Sequence, residues 1–143
     1  AMRVCGVELA GNDANIALLN LENDLIQLPD CRTRKLSLQK AATAHELKYF
    51  QKSFAQLVQD YKIETIVIRQ RPMKGKFAGG AIGFKLEAAL ELLNGVQVIV
   101  MPPTEIKAAL KENHMFIEFG DTGLKGFQKS AFETALAYIS KHL

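Results

Sequence analysis

The spacing of apolar residues changes partway along this chain, and that change most constrains its fold. Met2 to Leu9 alternates and is rich in aliphatics, and after Gly11, Asn12 and Asp13 a similar run occupies Asn15 to Leu21. Two-residue alternation on either side of turn-forming residues predicts a hairpin. Glu22, Asn23 and Asp24 mark another turn. Leu25 to Leu38 then reads as extended chain interrupted by Pro29, which lacks an amide to donate and so suits an edge position or a bulge. Beyond this point the spacing becomes helical. Leu47, Phe50, Phe54, Leu57, Val58 and Tyr61 recur at helical intervals behind Thr43 and Glu46, which have capping-box spacing, so a helix is expected over about 44 to 61. Ile63 to Ile68 reads as a short β-branched strand, Gly80 to Leu93 as a helix, and Val96 to Met101 as a strand that stops at Pro102 and Pro103. Thr104 is expected to cap a short helix through Leu110, and Met115 to Phe119 is ambiguous. Phe127 to Leu143 reads as a last helix, with Phe132, Leu136 and Ile139 along one stripe.

Three extended runs followed by strands alternating with helices imply an α/β fold. Its sheet is mixed, a three-stranded antiparallel meander plus two parallel strands, with helices on both faces. The 143 residues, 48% of them hydrophobic, suit one domain over 2–143 with a single core. Ala1 ahead of Met2 is expected to be a cloning remnant. No apolar run approaches the roughly 20 residues that span a bilayer. Arg3, Glu8 and Asp13 interrupt what would be the apolar region of a signal peptide, so a cytoplasmic location is expected. Cys5 and Cys31 are far apart, with no CxxC and no nearby histidine, and are expected to be buried free thiols rather than zinc ligands or a disulfide.

The charge is concentrated. Arg69, Arg71, Lys74, Lys76 and Lys85 fall in a stretch without an acid, giving 69–85 a charge of +5 in a chain of net +3. A concentrated positive patch on a near-neutral protein captures phosphate-bearing partners through its local field, although a solvated loop is the plainer reading. Within it, Lys74-Gly75-Lys76-Phe77-Ala78-Gly79-Gly80 combines cations, small residues that let a ligand approach the backbone, and the start of a helix whose free amides favour anions. Arg69, Arg71, Lys74, Lys76, Gly79 and Gly80 are therefore the candidate phosphate contacts. The spacing is neither that of a P-loop nor of a dinucleotide fingerprint, and the glycines would serve close helix packing equally well. Phe77 would stack on a base or anchor the core.

The order of elements, with Glu8 in the first strand inside GVELAGND, resembles the ribonuclease H-like superfamily and, within it, bacterial Holliday-junction resolvases. The GVELAGND, KGKFAGG and PTEIK segments resemble those of an uncharacterised bacterial family known only as a domain of unknown function. The superfamily resemblance implies carboxylates from the first strand, the end of the fourth and the last helix. Together they hold two Mg²⁺ or Mn²⁺ ions about 4 Å apart, each stabilising one oxygen of an in-line displacement at phosphorus. Here Glu8 matches the first position. Arg69 stands at the second, where a cation repels a divalent metal and is expected to pair with Glu8 across neighbouring strands. In the last helix, Glu133 lies one residue from the matching position, which Thr134 occupies, and one residue is about 100 degrees around a helix.

Each acid has a plain reading beside its catalytic one. Glu8 is a metal ligand, a structural partner of Arg69 or of a backbone amide, or an exposed acid. Asp13 is an Asx-type turn residue or a companion of Glu8. Asp121, in the Gly120 to Gly123 turn, is a helix cap or a catalytic acid. Glu87 and Glu91 share a helical face near Lys85 and read as solvated. His45, His114 and His142 have no ligand spacing. The leading expectation is a nucleic-acid or phosphate-binding protein with a degraded metal site, leaning away from an enzyme and needing no certain cofactor. The alternatives are an active Mg²⁺- or Mn²⁺-dependent nuclease with a rearranged acid set drawn from Glu8, Asp13, Asp121 and Glu133, and a protein-interaction module that binds no nucleic acid. A nucleotide-binding variant, suggested by the outline of the first hairpin in actin-like ATPases, lacks a second phosphate motif.

Overall fold

A computed structural model describes residues 2–38, 43–72, 80–112 and 117–143. Its sheet is built on a long hairpin, β1 (Met2–Ala10) and β2 (Asp13–Glu22), paired antiparallel from Met2↔Leu21 to Ala10↔Asp13. Gly11 makes the reversal with a positive φ of 59°, a conformation that glycine adopts without steric cost. On the other side of β1 lie β5 (Thr65–Arg69) and then β6 (Gln97–Met101), both parallel. The order across the sheet is β3-β2-β1-β5-β6, with β4 also on β2. This is the mixed sheet expected from the order of elements, with helices on both faces.

The third strand of the expected meander is corrected. The run from Leu25 to Leu38 forms two short strands, β3 (Leu25–Gln27) and β4 (Lys35–Ser37), which pair with opposite ends of β2. Pro29 cannot donate to a ladder, and the chain leaves the sheet around it. Between the two short strands the edge of β2 is closed by other means. The Ile16 amide donates to the Arg34 carbonyl at 2.9 Å, and the Ile16 carbonyl accepts from the Gln128 side-chain amide at 2.7 Å. Gln128 is itself buried, and its side-chain oxygen accepts from the Lys125 amide.

One face of the sheet carries α1 (Ala44–Asp60) and α2 (Ala81–Glu91). Phe50, Phe54 and Leu57 from the first, and Leu86 and Leu90 from the second, bury themselves against Cys5, Val7, Ile66 and Ile68. The Thr43 hydroxyl accepts from the Glu46 amide, which starts α1 where the capping spacing predicts. The other face carries α3 (Pro103–Lys111) and α4 (Lys129–Lys141), with Ile106, Phe132, Leu136 and Ile139 packed on Val4, Leu19 and Val67. The starts of both helices on this face differ from expectation. Helix α3 begins at Pro103, so Thr104 lies inside its first turn rather than capping it; proline suits the first helical position because that amide has no partner to lose. A 3-10 turn at Gly126–Gln128 precedes α4. Cys5 is buried and Cys31 half-buried, both free. No helix among the described residues is long and apolar enough to cross a membrane.

The backbone of β1 lies directly against α4 at Gly6 in the middle of the strand. A Cβ built there would lie 2.0 Å from the Ala131 carbonyl oxygen and 2.9 Å from the Ala135 Cβ. Gly6→Ala is expected to destabilise the fold by at least about 3 kcal/mol, the upper part of the overpacking range, because a helix backbone cannot yield as a side chain can. Adding Ala135→Gly should not restore stability, since the carbonyl is the nearer obstacle. Chemical denaturation of the single and double variants checks both statements.

Candidate functional site

The α4 face of the sheet ends in a corner where the C-terminal ends of β1, β5 and β6 meet the start of β2. Val4 and Gly6 face α4, so the alternation of a strand puts Glu8 on the same side at the end of β1. The parallel register Val7↔Ile68 places Arg69 beside Glu8, and Val67 in the α4-side core assigns Arg69 to that face too. Asn15 stands directly opposite Glu8 in the hairpin, and Asp13 lies two residues before it on the same face. Glu8, Asp13, Arg69 and Glu133 are all half-buried.

A cleft of about 340 Å³ opens here between the end of β5 and helices α3 and α4. Arg69 and Glu133 line it together with Thr104 and Lys107 of α3, over apolar Ile106 and Leu110. Thr134, next to Glu133, is fully buried and its hydroxyl donates to the Ser130 carbonyl at 2.7 Å. Asp121 is exposed in a 3-10 turn, Phe119–Asp121, and does not line this cleft.

The expected Glu8 to Arg69 ion pair does not form. Glu8 Oε1 instead accepts from Asn15 Nδ2 at 3.3 Å, its neighbour across the hairpin ladder. Asp13 accepts from the Ser37 hydroxyl, its register partner on β4. The ion pairs among the described residues are Arg32 with Asp60 and Lys141 with Glu105, both remote from Glu8 in sequence. Among the described residues no three His, Cys, Asp or Glu side chains come together as a metal site. One carboxylate held by an amide, another held by a hydroxyl and a guanidinium in the next strand are a donor set that does not fit paired divalent ions.

Lys74, Lys76 and Gly79, with Phe77, lie outside the described residues. Gly80 is exposed and precedes α2, whose N-terminus carries no side-chain cap. Arg71 is placed differently from a free phosphate ligand. Its guanidinium fills the space left by the missing side chain of Gly83, where a Cβ would lie 1.1 Å from Nη1, and it sits 5.6 Å from the centre of the Phe84 ring. That Nη1 is buried without a hydrogen-bond partner among the described residues. Arg71 therefore fastens the start of the basic segment onto α2. Burial raises the nearby Glu87 carboxyl above its ordinary range and Glu91 adds to the rise, while Arg71 opposes it.

Sequence reasoning missed Asn15 and Lys107 at the corner, and gave Thr104 a different task. Only the strand register brings Asn15 to Glu8. For Lys107 the available signal was a strand stopping at two prolines followed by Thr104-Glu105-Ile106-Lys107, which sets a helix at the sheet's C-terminal edge.

Residues 2–138 match a family model described as "Protein of unknown function (DUF3010)". A comparison with curated protein sequences gives no match. Among solved structures, the chain is similar to Thermus thermophilus RuvC, with a TM-score of 0.76 at 15% identity over 99% of this chain and 95% of that one. T. thermophilus RuvC in complex with a Holliday junction substrate gives a TM-score of 0.72 at 12% identity over the same shares. At these identities the similarity establishes a RuvC-like, ribonuclease H-like fold.

Two outcomes are expected from the Arg71 contact. Gly83→Ala should expel the guanidinium, visible as a shift of the Arg71 side-chain Nε–H resonance. It should leave stability unchanged or raise it by up to about 1 kcal/mol, because alanine favours a helix interior and a flexible side chain can move aside. Glu87→Gln should raise the melting temperature at pH 7 and leave it unchanged below about pH 4. A carboxyl whose folded pKa lies above its unfolded one is destabilising when ionised and neutral when protonated in both states. Thermal melts of wild type and variant at the two pH values check the sign.

Proposed function

The chain belongs to the DUF3010 family, and on that premise we propose that it binds nucleic acid, or another phosphate-bearing ligand, through the basic segment leaving β5, with the metal site of the fold degraded. The observation that carries this reading is Arg69. It stands half-buried at the end of β5 next to Glu8, with no ion-pair partner among the described residues. Arg69, Lys74 and Lys76 contact backbone phosphates, Arg71 holds the segment against α2, and Gly79 and Gly80 let the ligand approach the backbone at the start of α2. The solved RuvC complex with a Holliday junction supports nucleic acid as the partner class. Such contacts are independent of sequence and sensitive to salt.

One observation favours a second reading. Glu8 and Asp13 lie on one face at the end of the hairpin and Glu133 lines the neighbouring cleft, the acids a Mg²⁺- or Mn²⁺-dependent nuclease with a rearranged set would draw on, but no three acids come together as a metal site among the described residues and Asp121 stands apart from the cleft. Arg69 and the amide on Glu8 weigh against it.

Fluorescence anisotropy with single-stranded, duplex and four-way-junction DNA and with RNA, at low and moderate salt with Mn²⁺ present, separates the readings. Salt-sensitive binding with intact probes is expected. Lys74→Ala with Lys76→Ala should weaken binding roughly tenfold and reduce the log–log salt slope on duplex by about 2, because each lysine neutralises one phosphate and so releases about one counterion. Unchanged affinity in that double variant defeats the proposal. Cut probes establish the nuclease, and no binding at low salt leaves the protein-interaction module.

A further inference from the structure

We propose that the cleft between β5, α3 and α4 is a metal-independent site for a single nucleotide, with Arg69 and Lys107 on its phosphate and Glu133 on its hydroxyl or amino groups. The argument begins with two opposite charges that face one cleft and do not pair. Arg69 and Glu133 both line it, yet neither forms an ion pair or a side-chain hydrogen bond among the described residues. The elements that carry them keep them apart. Helix α3 is fixed to α4 by buried Ile106 and Ala109 and by the Glu105 to Lys141 ion pair, and Arg69 is held by the pairing of β5 with β6. The walls of the cleft are thus set by the packing of these elements.

Its chemistry narrows the ligand. Lys107 adds a second cation and Thr104 a hydroxyl, both exposed on the first turns of α3. Two cations and a hydroxyl suit a phosphate. Bare phosphate would meet the Glu133 carboxylate unfavourably, whereas an ester that also carries hydroxyl or amino donors satisfies it. Ile106 and Leu110 offer an apolar wall for a sugar or base. About 340 Å³ lies at the small end of the roughly 300–1,000 Å³ range of ligand sites, enough for one nucleotide unit. That unit is either a free nucleoside monophosphate or the terminal residue of a single strand. The inference rests on the phosphate-binding reading for its chemistry and shares Arg69 with it, but none of the lysines of the basic segment.

The test is a metal-free amide-resonance titration of the full chain with the four ribonucleoside monophosphates, inorganic phosphate, the parent nucleosides and short 5′- or 3′-phosphorylated single strands. Saturable shifts at Thr104, Lys107 and Glu133 are expected, stronger with nucleotides than with inorganic phosphate or nucleosides. Lys107→Ala, an exposed change that leaves packing intact, should weaken nucleotide binding about tenfold, the loss of one charge-assisted hydrogen bond. Glu133→Gln should narrow the preference for nucleotide over inorganic phosphate. Saturation by strand ends alone identifies the strand as source, and saturation by monophosphates alone the free nucleotide; both support the site. The proposal is overturned by unsaturable shifts, by equal affinity for nucleotide and inorganic phosphate, or by a Lys107→Ala variant that binds as wild type. Saturable nucleotide shifts in a protein that binds none of the long probes would keep this site and defeat the basic-segment reading, and salt-sensitive binding of long probes without saturable nucleotide shifts would do the reverse.

Discussion

Everything at the functional corner depends on how closely α4 lies on β1. Strands and helices ordinarily keep their backbones apart with side chains, and here Gly6 meets Ala131 and Ala135 with almost none between them. The remaining small and apolar residues of α4, buried from Ala135 to Ile139, continue the contact along the sheet. This close seating sets the depth at which Glu133 sits beside the end of β5. A helix raised by a single methyl group would carry its acid away from Arg69 and change the depth of the cleft. The glycine in the strand is thus a positioning element for a side chain on another element more than a hundred positions later.

The order of strands and helices was legible because each leaves a period in the sequence, and the resemblance to a ribonuclease H-like fold followed from that order together with Glu8. What failed were features that depend on pairing across the chain. The third strand splits because Pro29 removes a donor where β2 needs one, and a run of extended residues does not reveal which of them face a partner. Glu8 goes to Asn15 rather than to Arg69 because the hairpin register sets an amide opposite it, and the sequence supplies charges without registers. The basic segment looked uniform in composition, yet Arg71 is drawn into a notch twelve residues away that exists only because Gly83 has no side chain. A glycine inside a helical run was the available sign, and its bulk-free surface has meaning only once the neighbour is known. Helix geometry gave the roughly 100-degree offset between Glu133 and Thr134 but not which of them faces the corner: Thr134 is buried and Glu133 lines the cleft.

At the end of β5 this corner carries Arg69 beside Glu8. A guanidinium at the end of β5 carries a charge that no ordinary pH removes and five donors in a plane. It does locally what a bound cation would do, attracting oxygen anions, but it cannot be exchanged or titrated away. Activation of a water as nucleophile is a property of metals that arginine does not share.

The buried Gln128 has a meaning beyond its two hydrogen bonds. Between β3 and β4 the outer rim of β2 would otherwise present a free backbone carbonyl to any passing chain in extended conformation. A rim of that kind recruits foreign strands and seeds fibres. By turning its side-chain amide onto Ile16, Gln128 closes the gap from within, so that this stretch of β2 is already paired before another molecule arrives.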